Sequence, residues 1–421
     1  MIKILLRFYE DSLFRNSFYL MLATGIAAAF GFVFWLIGAR LASIPNIGLA
    51  TTLVSSMVTI SVLGLVGFDT SIVRYLAHAL DRNSNITTSA FVVIGSSLVL
   101  ATSFVVLVGV ISPELGGLMR DPLAASAFVV FCVMSALNLF AGAVFLAYRD
   151  TKYTLMASVV SSSAKIPFVF MLAPWGAFGI FSAVAIAQLL GAAFSVAMLI
   201  IKFEYRPRWM FELEVVRRVR LYSTGNYVAD ILGFVPLGAL PVIVTNNLGP
   251  TEAAYFNVVM LIGGLLYAIP HSVTRMFFAH GSFDDAQTMG YVRKTVQTIA
   301  LFLLPAILVL LVFGRLILTM FGEAYAAGGA NFLYVIALSG VVVGISSVYG
   351  SLFRVTRNIA ALIARNGVSG VALIGLTYAL LPWGLVGVGI ALVCSALLEI
   401  GVGHIMYRLE SRGSVVYNFV A

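Results

Sequence analysis

Twelve apolar runs, each long enough to cross the hydrocarbon core of a bilayer, restrict this chain to one kind of fold. They cover residues 18–37, 47–67, 90–111, 123–147, 154–174 and 177–201, then 225–246, 253–270, 295–313, 330–352, 359–381 and 383–406. A run of about 20 apolar residues spans the core as a helix, because only there does one segment satisfy its own backbone hydrogen bonds. Composition agrees: 61% of the 421 residues are hydrophobic and 10% are charged, against about 25% charged in a soluble domain. The expected fold class is an all-α polytopic membrane protein. Its twelve helices form two six-helix lobes related by pseudo-two-fold symmetry about the membrane normal.

The division into six plus six comes from an internal repeat. Pro174-Trp175-Gly176-x-x-Gly179, after span five, recurs as Pro382-Trp383-Gly384-x-x-Gly387, after span eleven. Ser71-x-x-Arg74 at the end of span two recurs as Ser272-x-x-Arg275 at the end of span eight, and Leu41 after span one corresponds to Leu248 after span seven. Six spans return the chain to its starting side, so the repeats run parallel, an arrangement of transporters that expose a substrate path alternately to the two sides. The expected segments are an N-terminal helix 1–16, a first lobe 17–201, a basic linker 202–222, a second lobe 223–407 and a tail 408–421.

Charge sets orientation. With both termini in the cytoplasm, all 25 Lys and Arg fall inside except Arg40, Arg120 and Arg315 outside and Lys165 within the membrane, as the positive-inside rule requires. The +8 charge therefore marks span flanks and predicts no nucleic-acid partner. The opening segment lacks a small-residue cleavage site and reads as a cytoplasmic helix leading into a retained first span. The linker is either an interfacial helix for anionic lipid headgroups or a connection obeying the positive-inside rule. No G-x-x-x-x-G-K-[ST] loop is present, the four histidines have no metal spacing, and Cys132 and Cys394 sit in separate spans as small hydrophobes. The chain is expected to be no enzyme, to hold no cofactor beyond a coupling H⁺ or Na⁺, and to work as a monomer.

Lys165 is the only charged residue between Lys152 and Lys202. It stands mid-span, about 15 Å from either end, beyond the reach of a snorkelling stem. Its ammonium needs water, a carboxylate or an anionic ligand; the alternative is a structural ion pair or a lysine kept neutral by a depressed pKa. Ser161, Ser162 and Ser163 add hydroxyls, and Pro167 frees a carbonyl. The other candidates for substrate contact are Arg74 and Arg275 at equivalent span ends, Arg40 outside and Arg365, which Asn366 follows. Paired arginines at an entrance suit a phosphate, although interfacial anchoring and snorkelling also place arginines there. Asp230, with Asn226 one turn before it, and Glu399 near the inner end of span twelve are candidates for ion coupling, and Asp230 is a possible partner for Lys165.

The six-plus-six plan, the basic central linker, Arg15-Asn16-Ser17 entering span one and Ala39-Arg40-Leu41-Ala42 closing it resemble the multidrug/oligosaccharidyl-lipid/polysaccharide exporter superfamily, over residues 10–410. Within it the chain resembles the polysaccharide-synthesis branch of Wzx-type O-antigen and capsule repeat-unit flippases. That resemblance implies a secondary transporter moving a polyprenyl-pyrophosphate-linked oligosaccharide across the inner membrane, driven by an ion or the membrane potential. Its partners would be the lipid-linked glycan, membrane lipids and a glycan polymerase with chain-length machinery. The rival is an ion-coupled multidrug or metabolite exporter, which needs deep carboxylates for cationic drugs. Spans one to six carry no acidic residue except Asp69, near one membrane face. An intramembrane polymerase would need a large external loop, and the outer connections are short.

Overall fold

The structure, a computed structural model, describes residues 12–79, 81–207, 211–281, 288–356 and 358–411. Most of the N-terminal helix 1–16 and most of the tail 408–421 lie outside the described residues. All regular structure among the described residues is helical. In chain order the helices are α1 Ser12–Leu41, α2 Ile44–Gly64, α3 Phe68–Tyr75, α4 Arg82–Ile111, the short α5 Pro113–Leu118, α6 Pro122–Ala147, α7 Lys152–Leu172 and α8 Gly176–Lys202. They continue as α9 Leu213–Leu248, α10 Pro250–Gly281, α11 Thr288–Phe321, α12 Glu323–Val355, α13 Ile359–Leu380 and α14 Gly384–Ser411. Among the described residues, ten apolar helical stretches are long enough to cross a membrane, and two of them, Lys152–Lys202 and Ile359–Leu409, are 51-residue hairpins. Counting each hairpin as two gives the twelve spans.

Those two hairpins are the repeated Pro-Trp-Gly motif in three dimensions. Each helix ends in a 3₁₀ turn, Ala173–Trp175 or Leu381–Trp383, followed by a glycine at φ +71° (Gly176) or +61° (Gly384). A β-carbon is disfavoured at that angle. Three residues on, Gly179 and Gly387 pack so tightly that a Cβ on either would collide with a carbonyl oxygen of the preceding helix, at Leu172 and Leu380. The conserved spacing within the chain is thus a steric requirement of folding one helix directly back on another. Gly387→Val is expected to cost about 1–3 kcal/mol by overpacking. Gly375→Ala, with nothing within 4 Å of the added carbon, should leave a thermal melt in detergent unchanged.

The second repeat element diverges. Span two is broken: α2 ends at Gly64, Val66 and Gly67 take φ +48° and +77°, and α3 starts at Phe68. The released carbonyls find hydroxyl donors, Tyr227 Oη to Leu63 at 2.5 Å and Ser96 Oγ to Gly64 at 2.5 Å. Span eight, by contrast, is the uninterrupted α10, in which Thr274 Oγ1 donates to the Pro270 carbonyl at 2.9 Å. Ser71 is accordingly buried while Ser272 is exposed. The glycines flanking Leu65-Val66, which span eight lacks at the matching positions, account for the difference.

The chain forms two compact units. One comprises residues 1–227 with 241–254, the other 228–240 with 255–421. In the first, α7 packs on α1 and α8, and α8 on α2 and α6. Asn16, from the Arg15-Asn16-Ser17 motif, is a buried clasp: its Nδ2 donates to the Arg149 carbonyl at 2.7 Å and its Oδ1 accepts from the Thr151 N–H at 3.1 Å. It pins the start of span one to the turn between spans four and five.

The 202–222 segment is only partly a linker, because α9 begins at Leu213 and runs on into span seven. Its first part is fastened to the start of α4. Tyr205 Oη lies 2.9 Å from Thr87 Oγ1, Ser84 Oγ donates to Glu212 Oε1 at 2.5 Å, and the Glu212 N–H donates to Thr88 Oγ1 at 3.1 Å. Burial raises the Tyr205 phenol above its ordinary pKa, with the Thr87 hydrogen bond pulling it back. The tyrosine therefore stays protonated at neutral pH. In the second unit, α12 packs on α11 and α14, and α13 on α14.

Candidate functional site

Helix α7 has two clearly different faces. Met156, Val159, Ser163, Pro167 and Phe170 form an exposed stripe at helical spacing. The opposite stripe, Ala157, Ser161, Val169 and Leu172, is buried, and Lys165 completes it at the missing four-residue step. Yet Lys165 itself is only half-buried. Lys165 has no ion-pair partner among the described residues, unlike Lys152, Arg354 and Arg365, which pair with Asp150, Asp230 and Glu399.

The three serines diverge. Ser161 and Ser162 share the buried side with Lys165, and Ser161 Oγ donates to the Ser158 carbonyl at 3.2 Å. Ser163 faces the other way and donates to Val160. Two further groups stand beside this stripe, and sequence reasoning missed both. On α8 the buried positions Phe181, Val184, Gly191, Ser195 and Leu199 form one face, and Gln188 fills the step between Val184 and Gly191. Asn138 on α6 donates from Nδ2 to Gln188 Oε1 at 2.8 Å and accepts from Ser195 Oγ at 3.5 Å. The available signal was an isolated amide in each of spans four and six. Their meeting is a contact between segments that no periodicity specifies.

Depth can be compared along the antiparallel helices. A Cβ on Gly191 would sit 3.0 Å from Ser161 Cβ and 3.3 Å from Asn138 Nδ2, so Ser161 and Gly191 are opposite each other. Lys165 lies four residues beyond Ser161, about 6 Å towards the Pro-Trp-Gly turn, and Gln188 lies about 4.5 Å from Gly191 in the same direction. Lys165 and the amide pair therefore stand at one level.

The second unit holds a different cluster. Arg365 on α13 is 7% exposed and its Nη2 bonds Glu399 Oε1 on α14 and, at 3.3 Å, Ser346 Oγ on α12. Ser346 in turn donates to Glu399 Oε2 at 2.8 Å. Two guanidinium nitrogens, Nε and Nη1, are buried without partners. The structure thus joins a substrate candidate and an ion-coupling candidate from sequence into one internal pair. Asp230 pairs with Arg354 at 3.1 Å, and Asn226, one turn before it, is half-buried. Asn366 Nδ2 donates to the Ala229 carbonyl at 2.8 Å.

Arg74 is exposed and lies 5.7 Å from the Tyr75 ring centroid. Arg40 is exposed in the last turn of α1. Arg275 is placed on α10, and its side chain lies outside the described residues. No group of three or more His, Cys, Asp or Glu that could hold a metal occurs among the described residues.

Comparison with known proteins bears on this arrangement. The sequence matches the profile of a family described as polysaccharide biosynthesis protein over residues 13–273. No protein of curated function matches it. The fold is similar to an inward-facing multidrug resistance MATE family transporter of the MOP superfamily, with a TM-score of 0.72 and 13% identity over 94% of this chain and 99% of that one. It is also similar to the lipid II flippase MurJ in an inward closed conformation, with a TM-score of 0.75 and 14% identity over 91% and 87%. A third similar structure is a MOP superfamily transporter from Pyrococcus furiosus, described by the reversed polarity of its binding pocket, with a TM-score of 0.60 and 13% identity over 95% of each chain. At these identities the likeness concerns the fold.

Proposed function

The chain belongs to the polysaccharide biosynthesis protein family, the polysaccharide-synthesis branch of the multidrug/oligosaccharidyl-lipid/polysaccharide exporter superfamily, and we propose that it is a flippase for a polyprenyl-pyrophosphate-linked oligosaccharide. The observation that carries the proposal is Lys165, a lysine on the packed face of a membrane-length helix with no ion-pair partner among the described residues. A charge held there at a cost of several kcal/mol is balanced when an anionic group arrives. A pyrophosphate supplies that group, while the attached sugars want the hydroxyls and amides around it.

In this proposal the protein sits in the cytoplasmic (inner) membrane with both termini inside, and the glycan passes to a polymerase with its chain-length machinery. Translocation is by alternating access. Coupling uses the second unit, where Asp230 and Glu399 each already face a guanidinium, Arg354 and Arg365. A coupling H⁺ or Na⁺ acts there by exchange, displacing the arginine from its carboxylate. The polar network in the first unit has no deep carboxylate for a cationic drug.

The test is reconstitution. Proteoliposomes loaded with the glycolipid should show protein-dependent transfer of the glycan to the opposite leaflet, read by access to a soluble lectin. Efflux of a cationic dye from the same vesicles should stay at the protein-free rate. Dye efflux without glycolipid transfer would reverse the assignment.

A further inference from the structure

Taking Lys165 as the pyrophosphate contact proposed above, we infer that Gln188 and Asn138 form a sugar-reading subsite, hydrogen-bonding the hydroxyls of the sugar joined directly to the pyrophosphate. Three observations support this. The pair lies at the same level as Lys165 on neighbouring helices, brought together by Gly191, where a Cβ would press on both Ser161 and Asn138. The first sugar hangs from the pyrophosphate through a single anomeric oxygen, so its hydroxyls fall beside whatever holds the phosphates.

Hydrogen-bond accounting gives the second observation. An amide offers two N–H donors and one carbonyl acceptor. The Asn138–Gln188 bond uses one donor of Asn138 and the Gln188 oxygen. Both Gln188 N–H donors remain without a protein partner among the described residues. Asn138 Oδ1 has only the 3.5 Å contact from Ser195. In a hydrocarbon surrounding, an amide with idle donors is costly, and so these donors belong to a group that something polar visits.

The third observation is accessibility. Gln188 and Asn138 are half-buried although Gln188 stands on the buried stripe of α8, the same combination found for Lys165 on α7. Polar groups on both stripes thus keep accessible surface despite their packed positions. A neutral amide pair presenting donors and an acceptor together is suited to vicinal hydroxyls, whereas a bare phosphate is served by the ammonium. The ordinary role for such a pair is a bond between helices, which contributes equally whatever the ligand.

The experiment measures two affinities. Wild-type protein in nanodiscs is titrated with bare polyprenyl pyrophosphate and with the native glycolipid taken from cells lacking this protein, where it accumulates. Gln188→Met, of equal length, and Asn138→Ala should each reduce the preference for glycolipid over bare lipid by about tenfold, the effect of one or two hydrogen bonds, without changing affinity for the bare lipid. Lys165→Ala should weaken both ligands alike. A Gln188→Met protein with a lower Tm but an unchanged preference would overturn the inference and leave the pair as an interhelical bond. Undiminished binding of both lipids to Lys165→Ala would instead remove the headgroup role of Lys165, while the amide result would still be read from its own ratio. If Gln188→Met fails to fold, Asn138→Ala reads the same ratio from the other side of the pair.

Discussion

Lys165→Ala is expected to abolish translocation of the lipid-linked glycan while the protein accumulates and inserts as before. Two physical arguments make this the largest functional effect. A charge-assisted hydrogen bond contributes roughly 1.5–3 kcal/mol, so removing the ammonium weakens headgroup binding by about 10- to 100-fold. The same removal leaves no carboxylate stranded, because Lys165 has no ion-pair partner among the described residues. Folding therefore has little to lose and gains relief from an intramembrane charge. Lys165→Arg should keep part of the activity, since the guanidinium retains the charge on a side chain of similar reach. The measurement is surface glycan in cells beside an immunoblot of membrane protein. Full surface glycan in the alanine variant would sink the headgroup role.

The scaffold was legible in the sequence because membrane insertion writes it into composition. Twelve apolar runs become twelve helices, and the Pro-Trp-Gly repeat becomes two turns built on the same left-handed glycine and the same close helix return. The break in span two was not legible. Gly64 and Gly67 are compatible with a continuous membrane helix, and the tertiary hydroxyls of Tyr227 and Ser96 that help satisfy the carbonyls at the break come from other helices.

Sites followed the same division. Lys165 stood out because one charge in an apolar run is visible without knowing any neighbour. Asn138 and Gln188 are neutral, and their significance lies in a contact between spans four and six. Arg365 and Glu399 were each visible as intramembrane charges, but their pairing depends on which helices adjoin, which hydropathy does not encode. Sequence likewise offered Asp230 as a partner for Lys165, whereas its partner in the structure is Arg354, from its own unit.

That pairing leads to the largest expected effect on stability. Glu399→Gln should destabilise the protein by about 3–5 kcal/mol, the usual consequence of removing one member of a buried ion pair. Arg365 is only 9% exposed over its side chain and already has Nε and Nη1 without partners. Glutamine keeps an acceptor oxygen but supplies no negative charge, so the buried guanidinium is left without its counter-charge. Ser346 accepts from Nη2 but cannot compensate, because its hydroxyl is neutral. Replacing both partners together, Arg365→Met with Glu399→Met, should recover most of the loss by converting the site to packed hydrophobe. Asp230→Asn should shift the melt far less, because the Asp230–Arg354 pair is 45% and 60% exposed and an arginine so open can find water. Thermal melts of the four purified proteins in one detergent make the comparison. If Glu399→Gln melts at the wild-type temperature yet transports nothing, Glu399 is not a structural counter-charge, and its role is the ion exchange that drives the flippase.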